Sequence, residues 1–291
     1  METAELLKKV RLIEIKTKGL SNQIFSGEYH SAFKGRGMAF SEVREYIPGD
    51  EIRTIDWNVT ARFDQPYVKV FEEERELTMM LLVDVSASEA FGTRQKLKRE
   101  LITEICAVLA FSAIQNNDKV GVIFFSDQVE KFIPPKKGRS HILRIIRELL
   151  DFKPDHSQTN IAEALGYFNQ VIKKRSITFL ISDFQDQNFE KAMRIAARKH
   201  DLVGIKVYDQ AEMKLPDVGF VPLKDPETGV EQWIDTSSKQ VRLHYESKAL
   251  ERDDVLKNMF KKSGIDFTSI RTDRPYTQPL MHLFQRREAR K

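Results

Sequence analysis

Five oxygen-bearing side chains of this 291-residue chain, Asp84, Ser86, Ser88, Thr159 and Asp183, have the chemistry to hold a hard cation together. Asp84, Ser86 and Ser88 recur at every second position, so an extended backbone would point one carboxylate and two hydroxyls to one side. Magnesium takes about six oxygens in an octahedron, so these three fall short and later loops must supply the rest. The sequence offers Thr159, in Asp155-His156-Ser157-Gln158-Thr159-Asn160, and Asp183, which follows Ile177-Thr178-Phe179-Leu180-Ile181-Ser182. Each residue also has a plain structural reading. Ser and Asp are common in turns, Thr159 stands where it would cap the next helix, and Asp183 where it would cap one beginning near Asn188.

Strands must position these groups. The run from Leu77 to Val83 is apolar except at Thr78, which reads as a strand buried on both faces, because a strand with one wet face would alternate. Asp84 ends that strand and Asp183 ends a second one like it. At the carboxyl ends of parallel strands, loops and helix N-termini converge and ligands bind. Beyond Ser88 the pattern predicts helix 96–115, strand 119–125, a returning hairpin strand 128–134, helices 138–150 and 161–172, strand 176–182, helix 188–199 and strand 201–207. Such exchange of helix and strand implies an α/β fold with a doubly wound, mostly parallel sheet. A hairpin across 218–222 and 230–235, a charged helix 238–263, a strand 266–270 and a short basic helix complete the reading.

Asp-x-Ser-x-Ser followed by a loop Thr and a strand-end Asp resembles the metal-ion-dependent adhesion site of von Willebrand factor A domains. The resemblance implies Mg2+ or Mn2+ as the ion. Ser86, Ser88 and Thr159 would touch it directly, Asp84 and Asp183 would act through waters, and an acidic residue of a protein partner would fill the open position. Where that motif usually carries glycines before the Thr, this chain has Ser157 and Gln158.

Upstream, helix 1–18 and a loop at 27–37 lead to a dense stretch from Arg44 to Arg62. Pro48-Gly49-Asp50 is a turn in which Pro fixes the first central angle and Gly accepts the second. Arg44, Asp50, Arg53, Asp56, Trp57 and Arg62 crowd around it, and strand 67–76 follows. Arg-x-Tyr-x-Pro-Gly-Asp-x-x-Arg-x-Ile-Asp-Trp, then Ala-Arg, then Val-Lys-x-Phe-Glu-Glu-Glu, resembles the signature of the bacterial domain-of-unknown-function 58 family. That resemblance implies a von Willebrand A-like domain and a gene neighbour encoding a MoxR-type AAA+ ATPase. Two roles stay open for the signature: salt-bridged turns, with an arginine partnering Asp56, that fasten the segment to the sheet, or a partner-binding surface.

The expected organisation is an N-terminal extension over 1–76, the α/β domain over 77–272 and a basic tail over 273–291. Hydrophobic residues at 41% and charged residues at 31% are ordinary for a soluble globular protein. No apolar run approaches the roughly 20 residues of a membrane span, and residues 1–11 are charged where a signal peptide would be apolar, so the chain reads as cytoplasmic. Net charge is +4, matching residues 271–291 alone, where Arg271, Arg274, Arg286, Arg287, Arg290 and Lys291 face Asp273 and Glu288. That balance is too mild for a nucleic-acid binder, and the tail reads as a solvated end. Cys106 lies in an apolar helical run and reads as core. The histidines lack zinc spacing, and no glycine-rich phosphate loop is present, so ATP hydrolysis would come from a partner. The expected activity is that of a metal-dependent interaction module rather than an enzyme, and the family resemblance implies that it serves as an adaptor for a MoxR-type ATPase. The alternative is a magnesium-dependent hydrolase or phosphotransferase using Asp84 and Asp183, disfavoured because catalytic magnesium sites lean on directly coordinating carboxylates.

Overall fold

A computed structural model describes residues 10–14, 17, 38–63, 65–73, 77–90, 97–224 and 231–289. The chain divides into two compact units, Phe33–Leu77 on its own and Met1–Ala32 together with Thr78–Lys291. Residues 10–14 are helical and Val10 is buried; the remainder of the expected first helix, apart from Thr17, and the 27–37 loop lie outside the described residues.

In the smaller unit β1 (Met38–Glu45) runs antiparallel to β2 (Tyr67–Glu73), with a 3-10 turn at Ile52–Thr54 and helix α1 (Trp57–Phe63) between them. The turn sits where Pro48-Gly49-Asp50 predicts it, and Gly49 takes a φ of 114° that a side chain would resist. Neither β1 nor α1 is visible to hydrophobic periodicity. The two bulkiest apolar residues of α1, Trp57 and Phe63, are both exposed.

The larger unit runs β3 (Thr78–Asp84), α2 (Lys98–Gln115), β4 (Lys119–Phe125), β5 (Val129–Lys136), α3 (Arg139–Asp151), α4 (Ile161–Val171), β6 (Ile177–Ser182), α5 (Glu190–Lys199) and β7 (Asp201–Tyr208). After these come the short α6 (Gln210–Met213), the hairpin β8 (Phe220–Lys224) and β9 (Glu231–Asp235), α7 (Lys239–Lys262), β10 (Asp266–Arg271) and α8 (Thr277–Glu288). Six strands form one sheet in the order β10-β7-β6-β3-β4-β5. Every pairing is parallel except β4 with β5. The winding changes direction at β3, as a doubly wound sheet requires. Met79 to Val83 are all buried, which is why β3 shows no alternation. One face buries Met80, Leu82, Ile123 and Leu180 against Phe168, Phe189 and Phe260 from α4, the start of α5, and α7.

The carboxyl-terminal stretch departs from the expectation of a solvated basic tail. Tyr276, Leu280, Leu283 and Phe284 are buried along one face of α8. Arg287 on the same face is held by Asp266 Oδ2 at 2.6 Å and Asp201 Oδ2 at 2.5 Å. The spacing 276, 280, 283, 284, 287 is an amphipathic helical period that the count of arginines hid. Among the described residues, no helix is long and apolar enough to cross a membrane.

Candidate metal centre

Asp84 is the last residue of β3, level with Phe125 of β4, which puts its carboxylate at the carboxyl edge of the sheet. It is 1% exposed. Its Oδ1 accepts the Ser86 N–H at 3.0 Å and its Oδ2 the Ser182 O–H at 2.7 Å. Ser86 and Ser88 are both buried, with their Oγ atoms 3.1 Å apart. The chain is not extended here: it bends at Ser86 and enters a 3-10 turn at Ala87–Ala90. That bend, and not the period-2 alternation of a strand, brings the hydroxyls together.

The loop before α4 comes to the same place. The Ala87 N–H bonds Ser157 O at 3.0 Å, and the Asn160 N–H bonds Ser126 O at 2.8 Å, so half-buried Thr159 is carried on a loop anchored beside the two serines. Capping of α4 falls to Asn160, whose Oδ1 accepts the Glu163 N–H at 2.9 Å.

Asp183, 2% exposed, follows β6 at the same edge. Its Oδ1 accepts the Gln185 N–H at 3.2 Å, and its Oδ2 accepts Lys98 Nζ at 2.8 Å. Lys98 is wholly buried and also meets Glu212 Oε1 of α6 at 2.8 Å. Sequence reasoning missed this lysine. The available signal was its place on the helical stripe with Leu101, Ile102 and Ile105, all buried.

Charge is unevenly answered across the edge. One ammonium serves Asp183 and Glu212, while Asp84 has hydrogen-bond donors but faces no cation among the described residues. Burial, and after it the neighbouring Asp183 charge, push the Asp84 carboxyl up to about 7. Burial likewise raises Glu212, with Lys98 opposing. A buried carboxylate beside two facing hydroxyls and a third hydroxyl on the adjoining loop is a hard oxygen donor set, and it fits a divalent cation. Asp183 fits less directly: with Lys98 on one oxygen and Gln185 on the other, it keeps acceptor capacity for a water rather than for the ion itself. No group of three His, Cys, Asp or Glu that could hold an ion occurs among the described residues.

The signature residues separate into two sets. Arg44 grips Asp50 with both terminal nitrogens, at 2.8 and 2.7 Å, and holds its carboxyl below the usual range. Asp56 caps α1 through the Asn58 and Val59 N–H groups at 3.0 and 3.3 Å and pairs with Lys69 at 3.3 Å. Its partner is thus a lysine, where an arginine was expected: β2 pairs back alongside and brings Lys69 to the start of α1. Arg53, Trp57 and Arg62 are exposed.

Strand order, the acid-and-hydroxyl end of the central strand and the loop brought against it define an α/β domain with a doubly wound, mostly parallel sheet and an oxygen-rich carboxyl edge. The chain belongs to the family described as Protein of unknown function DUF58, whose model matches residues 42–255. It is 29% identical over 279 residues to uncharacterized protein Rv1480 of Mycobacterium tuberculosis, covering 95% of this chain and 88% of that one. Uncharacterized protein YeaD of Bacillus subtilis is 29% identical over 109 residues, 38% of this chain and 25% of its own. Among solved structures, BatB from Bacteroides thetaiotaomicron overlays 74% of this chain and 100% of its own, with 15% identity and a TM-score of 0.46. The SpRpn10 VWA domain overlays 72% and 94%, with 12% identity and a TM-score of 0.38.

Proposed function

We propose that Asp84, Ser86, Ser88 and Thr159 hold Mg2+ or Mn2+ at the carboxyl edge of the sheet, and that the ion is the docking point for an acidic residue of a protein partner. The observation that carries this reading is the buried Asp84 carboxylate, answered by hydroxyl and amide donors but by no cation among the described residues. A divalent ion would supply the missing charge and, held mainly by neutral hydroxyls, would keep enough of its own to attract a carboxylate from outside. Ser86 and Ser88 present their oxygens together, the Thr159 loop closes one side, and Asp183, steadied by Lys98, orients a water. The engagement of both aspartates by Ser86, Ser182, Gln185 and Lys98 favours binding over a hydrolase or phosphotransferase.

The module acts as an adaptor in the cytoplasm, and the partner we assign is a MoxR-type AAA+ ATPase, on the strength of the family's gene neighbourhood. Capture of that ATPase by the immobilised full chain tests the assignment. The reading predicts capture in magnesium, release by chelator, and loss when a single acidic residue of the ATPase is changed to its amide. Equal capture in chelator, or by Asp84→Ala, overturns it.

A further inference from the structure

Among the described residues β10 ends the sheet, with β7 on one side alone. In a parallel ladder, alternate residues bond the neighbouring strand while those between turn both backbone groups away from it. The Thr272 N–H bonds Tyr208 O at 3.0 Å, toward β7. Phe267 O is bonded instead by the Arg286 guanidinium, reaching from α8 at 3.1 Å. That parity turns the backbone of Phe267, Ser269 and Arg271 outward. The Ser269 hydroxyl at the middle of this edge is buried and has no hydrogen-bond partner.

A groove of about 660 Å³ lies between this edge and α8, and its charged lining is entirely basic: Arg271, Arg274 and Arg286, with His282 beside them. Arg271 is partly neutralised by Asp273. Arg286 bonds the carbonyl oxygens of His282 and Phe267, and neither it nor Arg274 meets a carboxylate among the described residues. From Phe267 to Arg271 the strand spans roughly 13 Å, the separation of side chains i and i+4 on one side of an extended peptide. Arg286 stands at one end of that span and Arg274 just past the other.

We propose that this groove binds an extended acidic peptide, which adds as a short strand at Ser269, between the Phe267 and Arg271 carbonyls that Arg286 and the Arg274 N–H already engage, and sets two carboxylates, four residues apart, on Arg286 and Arg274. Backbone hydrogen bonds to Ser269 supply affinity, and the arginine forks supply preference for carboxylates. Arginines on a sheet edge repel apolar strands and basic strands alike, which leaves an acidic strand as the one that fits. Three strand spacings, about 14 Å, separate this edge from β3, so binding here does not need the metal centre.

The probe is a fluorescein-labelled ten-residue peptide of alternating Val and Thr with two Glu four residues apart, read by anisotropy against the full chain at low salt in chelator. The Glu peptide binds. Its Gln twin, and a version N-methylated on the residues facing β10, bind at least about tenfold more weakly. Arg274→Gln with Arg286→Gln weakens the Glu peptide by a similar factor, and Asp84→Ala leaves it unchanged, so failure here is separable from failure of the metal reading. Absence of binding, equal binding of the Glu and Gln peptides, or full binding by the double arginine variant overturns the proposal. Displacement by inorganic phosphate as effectively as by unlabelled Glu peptide overturns it too, since that marks a small-anion site.

Discussion

Lys98 reaches from the first turn of α2 to Asp183 and Glu212, with both contacts at 2.8 Å and its side chain wholly buried. A buried ammonium survives only with such partners, and buried carboxylates only with such an ammonium. Lys98→Met keeps the packing volume and strands two carboxylates, one of them 2% exposed. The expected loss is about 3–5 kcal/mol, read as a lower urea midpoint. An unchanged midpoint would mean that water or protons already answer these charges and that the lysine has no hold on the edge.

Among the elements, packing tolerances are tightest where β7 passes under α7. A Cβ on Gly204 would stand 2.7 Å from Phe260 Cζ and 3.0 Å from Phe267 Cδ2. Those two rings stack with centroids 4.5 Å apart, and Phe184 meets Phe260 edge-on, so neither ring moves alone. Gly204→Ala should overpack this cluster by about 1–3 kcal/mol, lowering the thermal midpoint; an unshifted midpoint would show that α7 gives way. The strands and helices of the large sheet were legible because burial on one or two faces writes a period into the sequence. Elements stabilised otherwise were not. Strand β1 is fixed by pairing with β2, α1 by the Asp56 cap and α6 by the Asp209 cap, none of which leaves a hydrophobic period. At the site, Asp84, Ser86, Ser88 and the loop carrying Thr159 share one edge of the sheet, but the serine hydroxyls meet through a bend and not through the every-second-residue spacing. The bend at Ser86 and the Lys98 bridge depend on contacts remote in sequence, the second spanning residues 98 and 183, and only the fold reveals them.

At the scale of the whole molecule, His200 is one contributor to the loss of stability in acid. It is 1% exposed, its ring lies 4.4 Å from that of Phe168, and its Nδ1 accepts the Ser176 N–H at 3.3 Å, a bond that only the neutral ring can make. Burial, then the charges of Lys199 and Arg175, lower it to about 4. The unfolded histidine titrates near 6.5, so between about 6.5 and 4 the unfolded chain binds the extra proton. This contribution to stability is therefore complete above about 6.5 and is lost as pH falls toward 4, by about 3 kcal/mol. Urea midpoints at pH 7 and pH 4.5 should fall much further for the wild-type chain than for His200→Gln; parallel falls would contradict the assignment. Calorimetric titration of Mg2+ and Mn2+ into the full chain should show one site per chain. That heat should vanish in Asp84→Ala and in the Ser86→Ala, Ser88→Ala double variant, each with an unchanged circular dichroism spectrum. A wild-type chain that takes up neither ion, or an Asp84→Ala chain that still binds, would contradict the account.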